Sequence, residues 1–322
     1  MEQGVIPNER MVDAVALLFG LQPQGEALAA QAFQRLIEQP SQAEGLLGFW
    51  NDQQVLAAIW VVLDQEGTAT IGTPVIHPHA LVLHPEWPGK LLQLANDWQT
   101  SQGVTWSQTL LSIEDSQAWA SAFHEVGYQQ PTKLEYLHVD LEQPKPERSQ
   151  ALGAQPSPSE LPTGWAWQRA TDLTDAALLN LVEETFIDTL DCPFLGQHRT
   201  MAQIVEGFKK TGDSSMDHWN ILTRAGEYVG CLLGSLHRDP ALMEWTYVGL
   251  VPTIRGQGRG HWLCQRGLED ARQAGCKTIA VAVDNNNVPA QQLYGRHGFQ
   301  TWDYRNVFVK WDWDQTRLSF QT

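Results

Sequence analysis

Apolar residues along this chain fall into two alternating periods, one near two residues and one near 3.6, and the switches between them mark the elements. In the second half, Trp165–Arg169 reads as a short strand. From Asp172 the spacing of Leu178, Leu181, Val182 and Phe186 predicts a helix. Cys192, Pro193 and Gly196 interrupt it, and a second helix is expected over Met201–Phe208. Trp219–Thr223 and Tyr228–Leu236 then read as two strands joined by a turn at Gly226, and Leu242–Val251 as a third. A glycine-rich turn, Arg255–Gly260, leads into a predicted helix, His261–Ala274, with Gly275 positioned to end it. Lys277–Val283 is apolar and β-branched, Asn287 is placed to cap a helix running to Arg296, and Phe299–Trp311 supplies a final strand.

The first half shows a blurred version of the same order. A helix is expected over Ala27–Ile37, strands over Leu46–Trp50, Val55–Leu63 and Ala80–Leu83, and a helix over Gly89–Ser101. A strand near Thr109–Ile113, a helix over Gln117–Glu125 and a strand over Leu134–Val139 follow. Phe123–Tyr128, FHEVGY, aligns with Tyr294–Phe299, YGRHGF, which suggests a diverged internal repeat. Between the halves, Gln143–Pro162 carries five prolines among polar residues with no apolar period, the composition of an extended linker. The expected organisation is therefore residues 1–142, a linker over 143–162, and residues 163–322.

Composition narrows the function. The net charge of −16 disfavours nucleic acid as a partner, because its phosphates would be repelled. That charge is uneven: residues 1–163 carry −13 and residues 164–322 only −3, so the second half is the better host for an anion. No apolar run is long enough to span a bilayer and no leader is evident, so a cytoplasmic protein is expected. Cys192, Cys231, Cys264 and Cys276 form no C-x-x-C pair and read as free thiols. His77, His79 and His84 lack a completing ligand at metal spacing, so no metal is expected.

The stretch Leu250-Val251-Pro252-Thr253-Ile254-Arg255-Gly256-Gln257-Gly258-Arg259-Gly260 carries the chemistry. Glycines at 256, 258 and 260, between a strand and a helix, let the backbone wrap tightly. Amides at the helix start then converge where the helix dipole favours negative charge, the requirements of a pyrophosphate cradle. The turn lacks the Lys-Ser/Thr of a P-loop and the spacing of a dinucleotide fingerprint.

Arg255-x-x-Gly258-x-Gly260 resembles the R/Q-x-x-G-x-G/A signature of the GNAT acetyltransferase superfamily. Asn287-x-x-Ala290-x-x-Leu293-Tyr294-x-x-x-Gly298-Phe299 is similar to that family's N-x-x-A-x-x-L-Y-x-x-x-G-F segment, in the same order and spacing. The resemblance covers about residues 165–311. It implies an α/β (α+β) fold of two GNAT-like domains, each a mixed twisted sheet flanked by helices. Its fourth and fifth strands splay apart, and the pantetheine arm of acetyl-CoA lies between them. It places that arm along Gly249, Leu250 and Val251, and the pyrophosphate on Arg255, Gly256, Gln257, Gly258, Arg259, Gly260 and His261, with Asn287 opposite. Asn287 is equally explained as a helix cap.

Tyr294 stands where many members keep a tyrosine that protonates the departing thiolate, with a buried packing ring as the alternative. Glu244 stands where some keep a general base, with an exposed strand position as the alternative; His237, Asp188 and Asp191 are further candidates. The first half has His84-Pro85-Glu86-Trp87-Pro88-Gly89-Lys90 at the place of the turn, where two prolines remove donors and Glu86 repels phosphate. It is read as a degenerate repeat, as in the tandem arrangement of mycothiol synthase. The resulting expectation is transfer of an acetyl or short acyl group from acetyl-CoA to a small-molecule or peptide amine by direct attack. A catalytically quiet acyl-CoA sensor is the other reading.

Overall fold

The computed structural model describes residues 1–20, 25–64, 67–143, 161–213, 215–237 and 241–311. Most of the predicted linker, residues 144–160, lies outside them. The chain forms two compact units, one of residues 1–131 with 305–322, the other of residues 132–304.

In the first unit, strands β1 (Glu2–Val5), β2 (Leu46–Trp50), β3 (Val55–Asp64) and β4 (Thr68–Ile71) pair antiparallel in sequence order. β5 (Val75–Ile76) pairs with β3, and β6 (Trp106–Ser112) joins β4 in parallel. Helices α1 (Met11–Phe19) and α2 (Gly25–Glu38) cover one face. On the other, α4 (Trp87–Ser101) and α5 (Ile113–Glu125) cover the sheet, while α3 (Pro78–Leu83) precedes them. Alternate residues of β3 enter opposite cores, Ala58 and Trp60 beneath α1, Ile59 and Val61 beneath α4. A strand covered on both faces is apolar throughout, which is why this stretch reads as a continuous hydrophobic run.

The expected strand over Ala80–Leu83 is instead helix α3. Pro78 occupies its first turn, where a missing N–H costs nothing, and Val82 and Leu83 are left exposed. Ser112 starts α5 by accepting the Asp115 N–H at 3.0 Å, earlier than the apolar pattern indicated.

The second unit repeats the plan: β8 (Trp165–Arg169), α6 (Asp175–Phe186), α7 (Leu195–His198), α8 (Met201–Lys209), β9 (Trp219–Arg224), β10 (Glu227–His237), β11 (Leu242–Leu250), α9 (Arg259–Gln273), β12 (Thr278–Asp284) and α10 (Val288–Arg296). β8 to β11 are antiparallel neighbours, and β12 lies parallel to β11. The twice-repeated order, with its antiparallel strands followed by one parallel pairing, supports the internal repeat read from the sequence.

The last strand of each unit comes from the other half of the sequence. β7 (Gln129–Asp140) pairs antiparallel with β12, from Leu134 opposite Asp284 to Asp140 opposite Thr278. β13 (Gln300–Trp311) sends Arg305–Trp311 along β6.

Buried polar groups fix α9 on its sheet. Asp270, 3% exposed, accepts from Arg169 at 2.8 and 3.3 Å, from Asn220 at 3.2 Å, and pairs with His218 at 3.1 Å. Burial opposes its ionisation, but the bonds from His218 and Arg169 outweigh this and hold the carboxyl well below the usual range.

Candidate active site

Four residues of β11, Leu242 to Trp245, pair with β12, opposite Thr278 to Val281; beyond them the two strands separate. β11 nevertheless continues to Leu250 and β12 to Asp284. From Thr246 onward, the β12-facing edge of β11 therefore has no strand partner among the described residues. Its backbone groups face an opening rather than a ladder.

A bulge lies at the point of separation. Trp245 stands opposite Gly234 and Tyr247 opposite Leu233, which leaves Thr246 as the extra residue, its hydroxyl bonded to Leu233 O at 2.9 Å. The bulge changes which face the following side chains take. Trp245 packs over Gly267 of α9, whereas Tyr247 stacks between Phe186 of α6 and Phe208 of α8, at 5.1 and 5.3 Å. Glu244, next to Trp245, consequently shares the face of Tyr247. It is half-exposed and lies 3.0 Å from His237 Nε2.

Tyr294 lies on the opposite face, 5% exposed, beside Trp245 and Phe299. Burial raises its phenol well above the ordinary value, so it stays protonated through the physiological range. It is thus a buried packing ring that also keeps its proton.

At the end of β11 the chain makes a short turn, Pro252–Ile254, and enters α9 through Gly256 and Gly258, at φ +72° and +75°. No atom lies within 4 Å of where a side chain would start at either glycine. These two are required by backbone conformation, not by crowding. Gly260 differs, because a Cβ there would stand 2.9 Å from Leu293 of α10, so this glycine seats one helix against the other. Among the described residues, the N–H groups of Gly256, Gln257, Gly258, Arg259 and Gly260 find no backbone acceptor, while that of His261 turns back to Gly258 O at 3.2 Å. The free donors lie at the positive end of a 15-residue helix.

The remaining predicted residues divide. Arg255 is fully engaged with carbonyls, Leu250 at 2.8 Å, Thr185 at 2.8 Å and Asp188 at 3.1 Å, and clamps the end of α6 to the end of β11. Gln257 reaches back to Thr253 O at 2.9 Å. Arg259 lies over the rings of Trp262 and Trp165, at 4.1 and 5.2 Å, a cation at the first turn of α9. Gly249 is closely approached by Tyr247 and Thr185, which leave no space for a side chain, while Val251 donates to Val229 O at 3.0 Å from a buried position. His261 pairs with His297 at 2.8 Å. Asn287 caps α10, accepting the Ala290 N–H at 3.3 Å, and also bonds Asp191.

Asp191 is the residue whose importance the sequence understated. It accepts the Asp284 N–H at 2.8 Å, and Asp284 in turn accepts the Cys192 N–H at 3.2 Å. The loop Ile187–Cys192 is therefore tied to the end of β11 through Arg255 and to the end of β12 through Asp284. It straps the opening between the strands. Asp188 and Cys192 adopt φ +52° and +46°, conformations costly for non-glycine residues and held here by those ties. Burial pushes the Asp191 carboxyl up to about 6; the Asp284 N–H opposes this and the Asp284 charge adds to it. Cys231 and Cys264 are buried and their thiols shifted up, which suits packing rather than nucleophilic chemistry. Among the described residues, no three His, Cys, Asp or Glu side chains are grouped to hold an ion, and no helix is long and apolar enough to cross a membrane.

Residues 181–299 match the acetyltransferase (GNAT) family. Mycothiol acetyltransferase of Streptomyces bingchenggensis is 38% identical over 80 residues, 25% of this chain and 26% of that protein. The chain thus spans about a quarter of this curated relative. The enzyme of the same name from Renibacterium salmoninarum is 24% identical over 268 residues, 79% of this chain and 71% of that one. Among solved structures, a GCN5-related N-acetyltransferase from Sphaerobacter thermophilus aligns with a TM-score of 0.63 and 18% identity, covering 94% of this chain and 90% of its own. A tandem GNAT protein from the clavulanic acid biosynthesis pathway aligns with a TM-score of 0.56 and 14% identity, covering 96% of each chain. These structural likenesses establish the fold.

Proposed function

We propose that this chain, whose residues 181–299 match the GNAT family and whose fold is like that of a tandem GNAT protein, is an N-acyltransferase using acetyl-CoA and a primary amine. The observation that carries this is a single opening, where β11 and β12 separate, bordered by the turn whose free amides begin α9. An unpaired strand edge offers amide partners to an extended pantetheine arm, and the amides of Gly256 to Gly260, with Arg259, suit a pyrophosphate. Bound there, acetyl-CoA supplies an activated acetyl thioester.

The chain's own residues then have separate tasks. Glu244, on the α6 and α8 face, receives the proton that the attacking amine must lose, directly or through water. Tyr294, on the α9 and α10 face, donates a proton to the departing thiolate. The opening between the strands lets groups from the two faces meet at one thioester. Arg255 is assigned a positioning role, holding the α6 end and the β11 end together. Because the curated relatives are named mycothiol acetyltransferase, acceptors from mycothiol chemistry are the ones to try first.

The test is release of free thiol from acetyl-CoA in the presence of an amine panel, paired with calorimetry of coenzyme A binding. Binding with amine-dependent release supports the enzyme. Stable binding without release for any amine would favour the quiet sensor, and absence of binding would remove both readings.

A further inference from the structure

Sheet register places a strand from the first half of the sequence on the acceptor side of this site. Side chains opposite one another across neighbouring strands share a face. Ser235, Glu244, Ala280 and His138 are successive partners across β10, β11, β12 and β7. Glu244 and His138 thus stand on one face with only the methyl of Ala280 between them. In the next row along β7, Tyr136 is opposite Ala282, and beyond it Leu134 is opposite Asp284, the anchor of the strap.

The other face of these strands is closed: Met243, Trp245, Ile279, Val281 and Leu137 are buried in the core with residues of α9 and α10. The Glu244 face is open in the same stretch, with Ala280, Ala282, His138 and Tyr136 all only partly buried. Trp302, 54% exposed, meets Tyr136 edge-on at 5.9 Å. The result is a strip with a floor of alanine, bounded by Glu244 with His237 on one side and by His138 and Tyr136 on the other. Its charged groups are acidic, Glu244 and Asp284 with Asp191 bonded to it, and no lysine or arginine stands in these rows. An ammonium-bearing small molecule complements that charge.

We infer that the amine acceptor lies on this alanine-floored strip, and that His138 and Tyr136 of β7 are acceptor-binding residues supplied to the site by the first half of the chain. The inference rests on the acyltransferase reading. Small residues at 280 and 282 leave the depth that an acceptor needs to reach the thioester beside Glu244. His138 can hydrogen-bond a polar acceptor group, and Tyr136 with Trp302 gives its body a flat wall.

Methyl spectra of the full-length protein labelled at alanine, saturated with coenzyme A, test this by titration with glucosamine, spermidine and amino-acid amides. At least one amine should shift the Ala280 and Ala282 methyls. Ala280→Leu should fill the strip and raise the KM of that amine by about tenfold or more, leaving acetyl-CoA affinity within about twofold. Ala280→Ser, similar in volume, should raise KM far less than Ala280→Leu, which shows that the loss in the leucine variant is steric. His138→Ala should raise KM with kcat little changed, and His138→Gln should restore part of it. If an amine is acetylated while both methyls stay silent and Ala280→Leu keeps its KM, the inference fails and the acyltransferase reading stands. Silence of both methyls to every amine also overturns it. Failure of acetyl-CoA to bind the wild type would instead remove the reading beneath it.

Discussion

The two units enter their corresponding helices in opposite ways. In the second, α9 begins after two glycines at positive φ, with open space above them and several amides unclaimed. In the first, α4 begins at Trp87, which is 4% exposed, stacks on His84 at 4.5 Å and meets Phe49 at 5.0 Å. Pro88 removes a donor from the first turn, and Glu86 precedes it, paired with Lys90 at 3.1 Å. One turn keeps its donors and its space; the other buries an indole and carries a carboxylate paired with a lysine. A shared fold thus leaves room for different chemistry at corresponding helix starts, set by a few side chains there.

The largest expected effect sharpens the catalytic side of that contrast. Glu244→Gln should lower turnover on the order of 10²-fold with little change in acetyl-CoA affinity, measured by steady-state kinetics and calorimetry. Tyr294→Phe should also lower turnover, and its deficit should shrink with acyl donors whose thiol leaves more readily. Wild-type rates in either variant would remove that residue from the mechanism.

A smaller effect is expected at the turn itself. Gly258→Val forces a β-branched residue to φ +75°, so the amides should lose their convergence and coenzyme A affinity should fall by about tenfold, roughly 1.4 kcal/mol. Arg255→Ala should weaken binding less, because its guanidinium bonds carbonyls and not the space above the turn. An Arg255 variant weaker than the Gly258 variant would contradict that assignment.

Asp191 offers a pH-dependent test. Its carboxyl, raised to about 6, favours the protonated folded state, so its contribution to stability falls as pH rises from about 4 through 6. Asp191→Asn keeps an acceptor for the Asp284 N–H and removes the ionisation. Thermal unfolding at pH 7.5 should therefore show a gain of about 1 kcal/mol, and near pH 4 almost none. An equal gain at both pH values would mean that burial is not what raises this group.

The smallest expected effect lies in the first unit. Glu86→Gln with Pro88→Ala restores one donor and removes one charge, yet Trp87 still fills the turn, so coenzyme A binding to the whole chain should keep its stoichiometry. A second equivalent bound in calorimetry would show that the charge and the missing donor, not Trp87, had silenced that repeat.

Much of this was legible locally. Strand and helix identities in the second half followed from apolar period and from caps such as Asn287 and Gly275, because those signals need only neighbouring residues. The Leu242–Leu250 strand was legible too, but the bulge at Thr246 was not, since an extra residue is visible only against its partner strand. Gly260 and Arg255 belonged to the right motif with different tasks, packing on Leu293 and clamping carbonyls, because a motif does not reveal what each side chain touches. Asp191 was visible only as one carboxylate among several, and its bond to Asp284 spans 93 residues. His138 and Tyr136 lie in a stretch assigned to the first half, and nothing in a linear pattern pairs them with Ala280 and Ala282.

The exchanged last strands have a consequence for how this chain comes into being. As it leaves the ribosome, the first half has made β6 but not the residues that cover its edge, which arrive only with Arg305–Trp311. That edge stays open while nearly two hundred further residues are translated, a wait that pairing within one repeat would not impose. β7 is meanwhile finished long before its partner β12 exists. Such distant pairings delay the cooperative step until Arg305–Trp311 has been made and slow it by the loop entropy they must overcome. A ribosome-stalled chain ending before Arg305 should thus be more open to proteolysis in its first hundred and thirty residues than one that includes Arg305–Trp311.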